Sequence, residues 1–271
     1  MLTVYDHGES VCCHKVRIAL AEKNIDFERK NVALEAGEQI SPQFLAVNPR
    51  GVVPVLVHDG RTIVDSTNIL EYIDDAFPQP SLMPKDPYWR YRRRWWARWI
   101  DDEMHVPHIA TISFIIAFNT AFRSQLDTQE KLDAYLQHIP TKANRQTLKT
   151  SFGSDLESQA FKESIVAYDK FLDAMNEALA EQDWLAGPAF SLADIDVVPY
   201  IWRLHNLQLS GLWADRPRVQ KWLERVTDRA SFREGVIRAV LPDWIELMKV
   251  TGTQAWPTVS KIVQSARADE A

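Results

Sequence analysis

Cysteine is nearly absent from this 271-residue chain, which has only Cys12 and Cys13, side by side. Adjacent cysteines rarely form a structural disulfide, so no disulfide framework is expected and any role for these thiols lies in chemistry or packing. The seven histidines show no ligand spacing and neither cysteine pairs with one at a finger-like distance, so no metal site is expected. Cationic excess is missing too. A formal net charge of −6 argues against nucleic acid as the main ligand. The local run Arg90, Arg92, Arg93 and Arg94 reads as a solvated or subunit-facing helix face. No apolar run reaches membrane-spanning length, and the opening MLTVYDHGE lacks the basic and apolar regions of a leader, so a soluble, cytoplasmic protein without a membrane partner is expected.

What is present suits one or two ordinary cores: 46% of residues are hydrophobic and 25% charged. Ten tryptophans are many for this length. Trp95, Trp96 and Trp99 share a helix, where core or dimer packing is the expected role and stacking on an aryl substrate the alternative. The pattern of the first 80 residues gives a strand at Leu2 to Tyr5, a helix over Val11 to Lys23, and a strand over Phe27 to Val32. A helical turn at Pro42 to Ala46 follows, then a hairpin of Val52 to His58 with Arg61 to Val64 around Asp59-Gly60. A helix over Thr67 to Phe77, with Ser66 as N-cap, completes the order β-α-β-α-β-β-α of a thioredoxin-like domain. Pro54 cannot donate to a ladder and must sit at a strand start, an edge or a cis turn. Pro78, Pro80, Pro84 and Pro87 mark a linker, and helices dominate beyond it. The expected division is an α/β thioredoxin-like domain over 1–80, an all-helical domain over 88–250, and a tail over 251–271. Ser191 and Asp194 have capping-box spacing, with Phe190 placed to staple against Ile195.

Three segments carry a resemblance: Ser10-Val11-Cys12-Cys13-His14-Lys15-Val16-Arg17, Asn48-Pro49-Arg50-Gly51-Val52-Val53-Pro54, and Asp65-Ser66-Thr67. In this order and spacing they resemble the glutathione-site motifs of the glutathione transferase superfamily. The resemblance implies that Val53, exposed by a cis Pro54, pairs its backbone with the cysteinyl part of glutathione. It implies that Asp65 and Ser66 receive the γ-glutamyl end, with Arg50 nearby and Asp101 reaching a partner's glutathione. It also implies a dimer, by default a homodimer, with a heterodimer of paralogues as the alternative. Ser10 stands where serine-type members keep the hydroxyl that activates the thiol; cysteine-type members have Cys there. Cys12 and Cys13 leave the activating group open among these three residues. His14 reads as a surface residue.

The charged stretch between Arg123 and Lys162 is longer than most transferases carry between the fourth and fifth helices. With its Ile139-Pro140 step, Gly153 and Phe161, and with Trp99-Ile100-Asp101-Asp102-Glu103, it is similar to the bacterial glutathione-dependent β-aryl etherases. That resemblance runs through about Trp222. It departs at Val52, where the etherases generally have Gln, and at Cys13, where their serine falls. A glutamine near their active site falls near Asn144 or Gln146. The resemblance implies that glutathione, as co-substrate, cleaves β-aryl ethers of lignin-derived aromatic dimers in a cleft lined from the helix bearing His105, His108, Phe114, Phe118 and Phe122. The alternatives are a general transferase, a glutathione lyase acting on aromatic conjugates, and a non-catalytic partner subunit.

Overall fold

The computed structural model describes residues 1–123 and 126–270. Ser124 and Gln125, inside the expected insertion, and Ala271, at the end of the expected tail, lie outside the described residues. The chain begins with β1 (Leu2–Asp6), α1 (Val11–Glu22), β2 (Glu28–Asn31), α2 (Pro42–Leu45), β3 (Val55–His58), β4 (Arg61–Val64) and α3 (Ser66–Ala76). The strands form one sheet in the order β2-β1-β3-β4, with β1 parallel to β2 and antiparallel to β3. β2 reads Glu-Arg-Lys-Asn and is exposed throughout, a charged edge that resists pairing with other chains. Asp59 and Gly60 have φ of 48° and 78°, the left-handed pair that a tight hairpin needs.

α1 is buried on nearly every side because helical residues from the second half of the chain cover the face turned away from the sheet. Gly235 shows how closely they approach: a Cβ there would lie 2.7 Å from the Ile18 backbone nitrogen. A helix this enclosed must pair each charge it carries. Arg17 does so with Asp6, and Lys15 with Asp101 and Asp196. His14, expected on the surface, is buried with a ring nitrogen 2.9 Å from the Gly8 carbonyl oxygen.

The helical part starts with α4 (Pro87–Arg123), capped by Asp86, whose carboxylate accepts the Tyr88 and Trp89 N–H groups. Its length of 37 residues and mean hydropathy of 1.2 over its most apolar window make it long and apolar enough to cross a membrane, contrary to the sequence expectation. Pro107 does not end it, because the backbone widens into π-type turns over Ile100–Ile109 and Phe114–Phe118 and continues. Trp96, Ile100, Met104, Ile109, Ile112 and Ile116 are buried in the main core, which marks α4 as a core helix. Trp96 stacks on Trp99 and meets Phe171 edge-on, so this aromatic run serves packing. Arg93 is likewise internal, pairing with Glu71 and lying 3.3 Å from Asp196, which corrects its placement on a solvated face.

After α4 come α5 (Gln129–His138), α6 (Lys142–Phe152), α7 (Gln159–Ala178), α8 (Leu192–Asn206), α9 (Pro217–Thr227) and α10 (Pro242–Glu270). α5 and α6 form the long insertion and lean across to the sheet domain: Gln39 donates to the Tyr135 hydroxyl at 2.9 Å, and Gly51 lies against Pro140. The segment expected as a tail makes up the last two-thirds of α10. Arg267 ties it down by reaching Asp169 and Asp215, at 2.7 and 2.8 Å. The capping box at Ser191 and Asp194 is formed. Phe190 packs edge-on against Trp184, with the Arg229 guanidinium 3.9 Å from its ring centre.

Candidate active site

A cleft of about 260 Å³ lies between the two parts of the chain, at the N-terminal end of α1. Ser10 sets that end. Its Oγ accepts the Cys13 N–H at 3.3 Å as N-cap, which leaves its own O–H free to donate into the cleft it lines. The helix's free N–H groups and dipole point the same way and favour an anion there.

Cys12 lines the cleft one step further on. Its Sγ lies 3.6 Å from His105 Nε2 and 3.9 Å from the Tyr200 hydroxyl, which is itself 3.2 Å from His105 Nδ1. Burial opposes the thiolate, but the His105 charge and hydrogen bond, the Lys15 ammonium and the Ser66 hydroxyl outweigh it and bring the Cys12 thiol down from its ordinary 9.0 to about 7. In return, although burial weighs against the imidazolium, the neighbouring thiolate raises the His105 pKa. Lys15 stays charged despite full burial, because Asp101 and Asp196 each lie 3.3 Å from its Nζ. Cys13 is the opposite case. It points into the core, fully buried, and burial together with the Asp6 charge pushes its thiol well above the usual range. Of the two cysteines only Cys12 has a reactive setting.

The second segment delivers Val53, which lines the cleft with Gly51 and Val52 ahead of the cis Val53–Pro54 bond. The third brings the start of α3. Here the structure corrects the expected cap: Asp65, not Ser66, is the N-cap, its carboxylate accepting the Asn68 N–H at 3.2 Å. Ser66 is the first helical residue and is nearly buried beside Cys12. Asp65 has φ 73° and ψ 121°, a sparsely populated combination for a residue with a Cβ. Such a conformation costs on the order of 1–3 kcal/mol and persists where surrounding structure enforces it, which is typical of binding sites.

The rest of the cleft is apolar. Phe114, Phe118 and Phe122 line it from α4, Trp244 from α10, and Ile139 and Leu148 from the insertion. Asn144 faces the cleft, whereas Gln146 is exposed on the opposite side of α6, two residues and 200° away. His108 is turned toward α7, where it lies 3.2 Å from Ser164 Oγ, because the lining positions of α4 run 105, 106, 109, 110, 113, 114, 118 and 122 and leave 108 off that face. Arg50 is exposed in the turn after α2 and does not line the cleft; its N–H is held by the Asn48 side chain at 3.1 Å. Asp101 is partly exposed and held by Lys15. Sequence reasoning missed Tyr200, Trp244 and the polar group of His7, Glu9, Glu35 and Arg203 that closes one end of the cleft. Nothing in their local patterns signals it. Among the described residues, no group of three or more His, Cys, Asp or Glu side chains is placed to hold a metal ion.

The chain matches the glutathione S-transferase N-terminal domain family over residues 9–76 and the C-terminal domain family over residues 158–225. It is 30% identical to the protein LigF of Sphingobium sp. strain SYK-6, over 86% of this chain and 92% of that protein. It is 26% identical to the maleylacetoacetate isomerase of Pseudomonas aeruginosa, over 86% and 94%. The crystal structure of the β-etherase LigF superposes with a TM-score of 0.77 at 27% identity, covering 86% of this chain and 98% of that one. The chain therefore belongs to the glutathione S-transferase family, with that family's small sheet domain and mostly helical second domain.

Proposed function

We propose that this transferase cleaves β-aryl ethers of α-keto aromatic dimers, using glutathione as the nucleophile. The observation that carries the reading is the aromatic-walled cleft opening onto Ser10, with the insertion helices α5 and α6 closing its side. The likeness to LigF, whose solved structure is that of a β-etherase, supports it.

Ser10 donates a hydrogen bond from its O–H to the glutathione sulfur and, with the start of α1, stabilises the thiolate. The Val53 backbone and the Asp65–Ser66 corner hold the peptide. The thiolate forms a bond to the carbon next to the ketone, the carbon–oxygen bond of the ether breaks, and the electron pair leaves with the phenolate. The products are a phenol and a glutathione–ketone conjugate. Phe114, Phe118 and Trp244 hold the aryl groups and exclude water, which strengthens every charge interaction at the sulfur. A direct test compares glutathione-dependent turnover of both enantiomers of such an ether ketone with that of a chlorodinitrobenzene. Cleavage of the ether supports the reading; reaction with the chlorodinitrobenzene alone reduces the protein to a general transferase.

The Cys12–His105 pair favours a second reading, a lyase acting on the conjugate. The Cys12 thiolate attacks the conjugate sulfur, the sulfur–carbon pair leaves as the ketone's enolate and is protonated, and a second glutathione reduces the Cys12 mixed disulfide, releasing glutathione disulfide. Formation of free ketone together with one equivalent of glutathione disulfide distinguishes this reaction from ether cleavage.

A further inference from the structure

The polar end of the cleft is built unlike the rest. His7 Nδ1 accepts the Glu9 N–H at 3.2 Å, so the ring hydrogen sits on Nε2 and is donated to Glu35 Oε2 at 3.1 Å. Glu9 lies behind them, almost fully buried. One oxygen accepts the Leu241 N–H at 3.1 Å; the other has no hydrogen bond, and the Arg203 guanidinium is 3.6 Å from it. Arg203 is buried as well and spends its donors on the Glu9 carbonyl and Met248. It is the one guanidinium or ammonium among the described residues lining the cleft, and it is matched to Glu9. Burial lowers the His7 pKa more than Glu35 and the other nearby carboxylates raise it, so the ring is neutral at pH 7 and does not cancel the Glu35 charge. The Glu35 carboxylate, 29% exposed and engaged by His7 through one oxygen, lines the cleft.

Phe118 and Trp244 meet edge-on at 4.9 Å beside this group, and the His7 ring lies 6.3 Å from Trp244. An aryl ring laid against Phe118 and Trp244 has its rim at His7 and Glu35. The geometry points to a specificity site here: Glu35, oriented by His7 and backed by Glu9, accepts a hydrogen bond from a hydroxyl on the aromatic substrate and repels a carboxylate at the same place. This rests on the reading of the cleft as an aromatic-substrate site, and it narrows that substrate to hydroxylated aryl ketones. A hydrogen bond to a charged acceptor is strong enough to separate a hydroxyl from its methyl ether by about tenfold in affinity or more.

The test measures binding and needs no ether cleavage. Acetophenones bearing a 4-hydroxyl, a 4-methoxyl or a 4-carboxylate are titrated calorimetrically into the whole protein with glutathione present. The hydroxyl compound is expected to bind about tenfold more tightly than the methoxyl compound, with the carboxylate weakest. Glu35→Gln, a near-isosteric change at a partly exposed site, is expected to reduce the hydroxyl preference to under about threefold and to restore carboxylate binding. Equal binding of the hydroxyl and methoxyl compounds, or an undiminished preference in Glu35→Gln, overturns the proposal. If the ranking holds but no ether is cleaved, the reaction reading fails and the specificity site stands. If none of the three ligands binds, both fall.

Discussion

His105 is the perturbation that bears most directly on the chemistry beside the cleft. The Cys12 thiol, at about 7, is half ionised at neutral pH, whereas a thiol at 9.0 is ionised to about one part in a hundred. The difference of about two units corresponds to roughly 2.7 kcal/mol of preference for the thiolate, and the structure traces it chiefly to His105 at 3.6 Å acting against burial. In His105→Gln the charge is gone and the burial remains, so the thiol is expected to move to 9 or above and the thiolate fraction at pH 7 to fall by about fiftyfold or more. The assay is the pH dependence of alkylation by iodoacetamide, with each cysteine followed separately by peptide mass spectrometry. Cys12 is expected to react with a midpoint near 7 in the unaltered protein, and Cys13, buried and raised, to remain unmodified as an internal control. A Cys12 midpoint near 9 in the unaltered protein, or one that stays near 7 in His105→Gln, would refute the ion-pair account.

Three further outcomes are expected. Ser10→Ala removes both an N-cap and the hydroxyl assigned to the glutathione sulfur. It should cost about 1 kcal/mol of stability in denaturant titration, and it should lower kcat/KM at pH 7 at least about tenfold, with activity recovering as pH rises toward the free-thiol pKa of about 8.5. Unchanged turnover would show that a group other than the Ser10 hydroxyl stabilises the glutathione thiolate. Asp194→Ala strips the acceptor from the Leu185 and Ser191 N–H groups and the Trp222 indole, at 3.0, 3.0 and 2.8 Å, and leaves all three donors buried. The expected loss is about 4 kcal/mol, well beyond a simple cap, read as a large drop in Tm. Asp169 opposes its own burial through Arg267 and Arg216, which hold its folded-state pKa below the ordinary 3.8. Its contribution is present above the unfolded value of about 4 and is lost as pH falls through the lower folded value, so the C-terminal half of α10 should lose hydrogen-exchange protection in acid below about pH 4.

Much of the sheet domain was legible because its signals are local. The Asp59-Gly60 turn and the hairpin around it depend on neighbours a few residues away, and both formed where the pattern placed them. The start of α3 shows how far local reading goes: both Asp65 and Ser66 can cap a helix, and only the strained Asp65 backbone decides between them. The partners of Cys12 were not legible. His105 and Tyr200 come from points 93 and 188 residues away, and what brings them together is the packing of α1 against α4 and α8. The phase of α4 was hidden for a different reason. Its π-type turns shift the rotation of each residue, and His108, which the resemblance put with the cleft, faces α7. The polar end at His7, Glu9, Glu35 and Arg203 draws on the loops after β1 and β2 and on α8, and no single stretch of sequence announces it.

The most direct measurement is a product analysis after incubating the protein with glutathione and each enantiomer of an α-keto β-aryl ether. The account predicts that at least one enantiomer yields free phenol and glutathione–ketone conjugate in equal amounts, with no glutathione disulfide formed in that step. Absence of phenol from both enantiomers, from protein that still conjugates a chlorodinitrobenzene, would contradict it.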